Sequence, residues 1–284
     1  MPKLVSLVDG SMYSHSVCDL SAFFANRLNA SIIVIHVLGR REVSDDTANL
    51  SGSIGLGART ALLEELAEVD AHKAKLANQR GRAILEDARD YLAEAGISDV
   101  EVKLRHAEIV ETITDFENDV DLIVIGKRGI GADFDQMHLG SNLERVVRSS
   151  QKPVLVASRT FRPIKRFLIA FDGGNSAWKA IEYVSNLDCF TDLQCHVITV
   201  SGGSSSNTSN LERATKAMND AGYQVTSEVL HGEPETVIAE KVEKGDYDLL
   251  LMGAYGHSRI RNLIIGSTTT EMIRSCKIPV LLFR

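Results

Sequence analysis

The chain has 284 residues, the length of about two ordinary domains, and an apolar content of 44% is enough for a sizeable core in each. A formal net charge of −7 excludes a general nucleic-acid binder, which carries a basic surface, and no apolar run approaches the roughly 20 residues that span a bilayer. The chain opens directly on strand-like residues with no signal-peptide pattern, and Cys18, Cys189, Cys195 and Cys276 form no CxxC pair, so a cytoplasmic protein without a disulfide framework is expected.

The first strand, Leu4–Val8, ends at Asp9-Gly10, and the pattern from Ser14 to Leu28 predicts a helix. Ile32–Val37 is a second strand. A Ser/Gly-rich loop, Ser51–Gly57, leads into a long helical pattern from about Thr60 to Ala95. There Leu62, Leu66, Val69, Leu76, Ile84 and Tyr91 keep the helical period, and the charges from Glu64 to Glu94 read as a solvated face. Val100–Arg105 is a third strand and Ile109–Phe116 a short helix. A fourth strand, Leu122–Ile125, runs into Gly126, Gly129 and Gly140-Ser141, and a helix and the strand Pro153–Val156 close the unit. After the short, partly basic connector Arg159–Ile164 the series repeats: Phe167–Phe171 ending at Asp172-Gly173-Gly174, a helix from Ser176 to Leu187, Cys195–Val200, Gln224–Leu230, a helix near Thr236–Val242, Leu249–Met252 into Gly253, and Pro279–Phe283.

Two copies of one strand–helix unit imply parallel sheets covered on both faces. The fourth strand of the second copy leads into Gly253-x2-Gly256-x9-Gly266-Ser267, with a helical pattern opening at the last glycine. Each part suits a phosphate: glycines let the backbone approach a ligand and adopt positive φ, N–H groups at a helix start attract anions, and the hydroxyls of Ser267 and Thr268 donate.

On these residues the chain resembles the universal stress protein family in its tandem form, over nearly its whole length and twice. The resemblance implies an α/β fold of two doubly wound, five-stranded parallel-sheet domains, 1–158 and 165–284, each with ATP at the carboxyl edge between its first and fourth strands. In the second domain it implies that Asp172 bonds the adenine or its ribose side, Ala170 walls the base, the backbone of Val200 meets the adenine edge and Met252 packs on the nucleoside. Gly253, Tyr255 and Gly256 then line the ribose and first phosphate, and Gly266, Ser267 and Thr268 cap the phosphates. The matching positions of the first domain are Leu7, Asp9, Val37, Ile125, Gly126, Arg128, Gly129, Gly140, Ser141 and Asn142.

The two copies depart in charge. Ten residues separate Gly129 from Gly140, and that loop holds Asp133 and Asp135 but no Lys or Arg; the nine residues between Gly256 and Gly266 hold Arg259 and Arg261 and no acid. ATP carries about four negative charges, and in a partly dehydrated loop each opposite charge is worth on the order of 1 kcal/mol. The second domain is therefore expected to be the main ATP site, with Lys127 and Arg128 partly compensating in the first.

No P-loop, no Gly-x-Ser-x-Gly elbow and no ligand spacing for a catalytic metal appears. The expectation is a non-enzymatic, nucleotide-dependent regulator or stabiliser of the stress response. ATP, with or without magnesium, is its cofactor; slow hydrolysis is incidental, its protein partner is not identified by the sequence, and a homo-oligomer is left open. The rival readings are an interaction module without nucleotide and an adenylating or flavin-linked enzyme of similar architecture. Single-domain members of the family resemble two-fold dimers joined through the closing strand. Val154–Val156 is accordingly expected antiparallel to Val280–Leu282, with Leu155 and Leu281 near a pseudo-two-fold axis.

Overall fold

The computed structural model describes residues 1–39, 56–130, 139–200, 205–254 and 266–284, with the backbone alone for 56–61, 189 and 205–207. In chain order the first half contains β1 (Lys3–Leu7), α1 (Ser14–Leu28), β2 (Ser31–Leu38), α2 (Leu56–Glu94), β3 (Val100–His106), α3 (Ile109–Phe116), β4 (Leu122–Gly126), α4 (Ser141–Ser149) and β5 (Val154–Ala157). The second half repeats it with β6 (Arg166–Ala170), α5 (Asn175–Ser185), β7 (Gln194–Val200), α6 (Ser205–Asp220), β8 (Val225–Leu230), α7 (Pro234–Lys244), β9 (Leu249–Gly253), α8 (Ser267–Ser275) and β10 (Val280–Phe283). The predicted helix from Ser176 to Leu187 ends earlier, at Ser185, and a 3-10 turn at Asp188–Phe190 follows it.

The ten strands of the described residues form one sheet in the order β3-β2-β1-β4-β5-β10-β9-β6-β7-β8. Read from the middle outward, the two halves present the same order, so the sheet carries a pseudo-two-fold axis between β5 and β10. Pairing within each half is parallel; across the middle it is antiparallel, with Val280 opposite Val156, Leu281 opposite Leu155 and Leu282 opposite Val154. The expected register is the observed one. Pairing the two closing strands leaves neither apolar edge open.

Helices cover both faces, so the strands are apolar on both sides rather than alternating. Leu4, Ile32, Val34, Leu122 and Val124 pack with α1 and α2; Val5, Ile33, Ile35, Ile123 and Ile125 pack with α3 and α4. Both layers run on into the second half without a break, through Leu155 and Leu281 on one face and Val154, Val156, Val280 and Leu282 on the other. Each fully buried Leu or Ile contributes roughly 1.5–3 kcal/mol relative to exposure.

Polar contacts reinforce this joint. Arg27 of α1 makes a two-pronged bond to Asp192, at 2.6 and 2.9 Å, and its guanidinium lies over the rings of Phe23 and Phe190. That bond holds the Asp192 carboxyl below its ordinary pKa. Arg284 donates to the carbonyl of Arg148 at 2.7 Å, and Lys127 to the carbonyl of Cys276 at 3.0 Å. Each half thus supplies a cation to the C-terminal end of a helix in the other, where the helix dipole favours it.

Candidate functional site

β1 and β4 lie side by side, but the chain leaves β1 toward α1 on one face and β4 toward α4 on the opposite face. Their carboxyl ends part there and leave a crevice, the place where open α/β sheets bind ligands. In the first half this crevice is a cavity of about 910 Å³. Asp9, Val37, Ile125, Gly126, Arg128, Gly129, Gly140, Ser141 and Asn142 all line it, as does Leu7, so the structure brings together every position expected in the first half.

One end of the cavity is apolar. Leu7, Ile35 and Ile125 are buried and Val37 is partly buried, which suits a flat base. At the other end α4 begins. Gly140, its N-cap residue, is extended and makes no side-chain cap bond, so the N–H groups of the first helical turn point out of the helix toward the cavity.

The glycines act differently from expectation. Gly140 and Gly266 have φ near −60, at −60 and −59, so neither needs a left-handed backbone. Positive φ falls instead on Gly10 and Gly173, both at 77°, in the turns after β1 and β6. What the motif glycines supply is space. A Cβ on Gly129 would lie 2.6 Å from Asp9 Oδ2, and one on Gly126 would lie 2.8 Å from Tyr13 Cβ. In the second half a Cβ on Gly253 would meet Ser176 Cβ at 2.9 Å. The glycine ending each fourth strand lets the first helix of its half start close to the sheet.

Asp9 does not cap α1. One carboxylate oxygen accepts the Ser11 N–H at 3.0 Å and the other the Ile130 N–H at 3.1 Å, tying the β1 turn to the Gly129 loop. Each oxygen keeps further acceptor capacity for a ligand. Asp172 repeats the first bond, accepting the Gly174 N–H at 2.8 Å.

Three residues that line the cavity carry no mark in the sequence. His36 is buried, and its Nδ1 lies 2.8 Å from the Val8 carbonyl, which only accepts. Nδ1 is therefore the donor in this bond. Lys73 and Arg80 come from α2, whose charges read as a uniformly solvated face. A helical wheel alone does not reveal that the long helix lies over the strand ends. Lys127, by contrast, turns away from the cavity to the Cys276 carbonyl, and burial pushes its pKa down from 10.5 to about 8. The acids of the first-half loop, Asp133 and Asp135, lie outside the described residues.

In the second half, Ala170, Val200, Met252 and Gly253 end β6, β7 and β9 at the equivalent edge, beside Asp172 and the start of α8 at Gly266, Ser267 and Thr268. The Thr268 hydroxyl donates to Glu235 at 3.3 Å, and Thr269 donates to the Gly253 carbonyl at 3.2 Å. Tyr255, Gly256, Arg259 and Arg261 lie outside the described residues.

Among the described residues no group of three or more His, Cys, Asp or Glu side chains is arranged to hold a metal ion, and no helix is long and apolar enough to cross a membrane. Cys195 is buried, and His196 bonds Thr226 at 2.6 Å instead of a metal. Cys18, Cys195 and Cys276 are free thiols. Burial raises all three pKa values, that of Cys18 to about 12 and that of Cys276 to about 11.

The model of the universal stress protein family matches residues 1–158 and 203–284. The universal stress protein Slr1230 of Synechocystis is 38% identical over 287 aligned positions that cover all of both chains. Among solved structures, a universal stress protein from Archaeoglobus fulgidus superposes with a TM-score of 0.74, at 23% identity, over 99% of this chain and 96% of that one. A functionally unknown protein from Pseudomonas aeruginosa superposes at 0.61, with 15% identity, over 100% of this chain and 92% of its own. At those identities the two structures speak for the fold alone.

Proposed function

The chain belongs to the universal stress protein family, and on that premise we propose that it binds an adenine nucleotide, ATP foremost, and serves as a nucleotide-dependent regulator rather than as an enzyme. The observation that carries this reading is the 910 Å³ crevice at the β1/β4 switch point, with apolar strand ends at one side and an uncapped helix start at the other. The first-half residues expected from the family motif line that one cavity. On this reading the chain divides into domains 1–158 and 165–284. The second carries a further nucleotide position at Ala170, Asp172, Val200, Met252, Gly253, Tyr255, Gly256, Gly266, Ser267 and Thr268.

The non-enzymatic part rests on the chemistry of the cavity. Asp9 is its only carboxylate among the described residues and is bound to two backbone N–H groups, and among those same residues no second acid or metal cluster is set beside it to activate water. Denaturing freshly purified protein and separating the released small molecules by chromatography tests the reading, together with calorimetric titration of stripped protein with ATP. Release of an adenine nucleotide or saturable ATP binding is expected. Absence of both overturns it.

A further inference from the structure

Building on the nucleotide reading, we propose that Lys73 and Arg80 bind the phosphate chain in the first half, and that the ligand there is a nucleoside di- or triphosphate rather than a nucleoside or monophosphate. The two halves reach the same anion by different means, and the difference lies in α2.

α2 is fixed against the sheet from Gly81 onward. A Cβ on Gly81 would lie 2.7 Å from Leu104 Cδ1 and 2.9 Å from His36 Cδ2, so helix and strand ends touch there. Leu85, Ala88 and Leu92 are buried beyond it, and the Tyr91 hydroxyl donates to Asp19 of α1 at 2.9 Å. The turns upstream of Gly81 carry the helix over the cavity, where Lys73, Ala77 and Arg80 share one face, at i, i+4 and i+7. Lys73 and Arg80 are two turns apart, roughly 10 Å along the axis at 1.5 Å per residue. Side chains of that length reach one phosphate together only by converging, whereas a chain of phosphates gives each cation an anionic group of its own. Together with Arg128 they set three cations against the one carboxylate of Asp9 among the described lining residues.

Among the described residues the second half has no counterpart of this pair. A Cβ on the positive-φ Gly10 would lie 2.9 Å from Ile84 Cδ1 of α2, and one on its equivalent Gly173 would lie 3.1 Å from Asn210 Nδ2 of α6, so Ile84 and Asn210 hold matching places. Four residues before Ile84 is Arg80 and four before Asn210 is Ser206; eleven before Ile84 is Lys73 and eleven before Asn210 is Thr199, which lies in β7. No helical residue of the second half matches Lys73. Its cations sit in the loop instead, as Arg259 and Arg261, where the first half has Asp133 and Asp135. The positive charge has moved from loop to helix between the halves.

The test is photolabelling of the full chain with 8-azido-ATP, counting labelled peptides from each half separately and competing with ATP, ADP, AMP and adenosine. For wild type, ATP and ADP are expected to displace first-half label at concentrations about tenfold or more below AMP. In Lys73→Gln/Arg80→Gln this discrimination should collapse to within about threefold, with adenosine competition and second-half labelling unchanged and with Lys73→Arg/Arg80→Lys keeping most of it. Unchanged discrimination in the glutamine variant, or a wild type that takes ATP and adenosine equally in the first half, overturns the assignment while the nucleotide reading stands. No competable label in the first half of wild type overturns the nucleotide reading there and this inference with it.

Discussion

Lys127 Nζ donates to the Cys276 carbonyl at 3.0 Å, joining the loop that walls the first-half cavity to the C-terminal end of α8, whose first turn carries Ser267 and Thr268. Burial lowers the pKa of Lys127 from 10.5 to about 8, so between those values the unfolded chain binds the extra proton. Stability from this group therefore rises as pH climbs from about 8 toward 10.5, and below pH 8 the fold carries the full cost of a buried charge. Wild type should gain stability relative to Lys127→Met over that window, by up to a few kcal/mol. Urea melts of both proteins at pH 7, 8.5 and 10 check it; parallel pH profiles would show that the charge is not buried.

Leu155 and Leu281 face each other across the only antiparallel pairing in the described sheet, and both are buried. Truncating either to alanine leaves a hole in the layer that both halves share, and each should cost about 2–5 kcal/mol. Loss of one cooperative unfolding transition in favour of two would follow if the joint fails before the halves do. Cysteines at both positions, in a background without the native four, should crosslink on oxidation; a chain that stays uncrosslinked contradicts the register.

Much of this was legible beforehand because it repeats. Two runs of Val, Ile and Leu ending in Asp-Gly, two fourth strands ending in glycine, and two Pro-initiated closing strands each gave the same answer twice. The 3-10 turn at Asp188–Phe190 was not legible, because Phe190 is drawn there by the rings of Phe23 and Phe24 in the other half. Nor was the direction of Lys127, since sequence neighbours place it beside Arg128 while its partner lies in the second half. The charges of Lys73 and Arg80 look like any exposed helix face. Their role depends on where Gly81 lets α2 touch the sheet, a tertiary contact that no local period encodes.

Gly129 and Gly266 should separate steric from ligand effects. A methyl at Gly129 meets the Asp9 carboxylate at 2.6 Å and has to push it off the Ile130 N–H. Gly129→Ala is expected to lower first-half ATP affinity about tenfold or more, with a stability cost of about 1–3 kcal/mol. Among the described residues, a methyl at Gly266 has Thr269 Oγ1 as its nearest neighbour, at an ordinary 3.6 Å. Gly266→Ala should leave the melting temperature nearly unchanged, so that any loss of second-half binding reports the ligand's own occupancy of that space. Calorimetry and thermal melts on the two variants decide; a large drop in melting temperature for Gly266→Ala would mean the space is already filled.

Gly81→Ala sets two effects of opposite sign against each other. Replacing a mid-helix glycine stabilises the helix by about 1 kcal/mol. The added methyl would lie 2.7 Å from Leu104 Cδ1, the free end of a side chain that can swing away, and 2.9 Å from His36 Cδ2, which cannot. That ring is buried and held by its bond to the Val8 carbonyl at 2.8 Å. Overpacking a fixed ring costs about 1–3 kcal/mol, so the clash should win and the variant should be modestly less stable. Relief comes by tilting α2 off the strand ends, which carries Lys73 and Arg80 away from the cavity. First-half ATP affinity should then fall about tenfold, while competition by adenosine, which reaches only the strand ends, stays within about twofold. A variant more stable than wild type with undiminished ATP affinity would mean that α2 is not seated on His36.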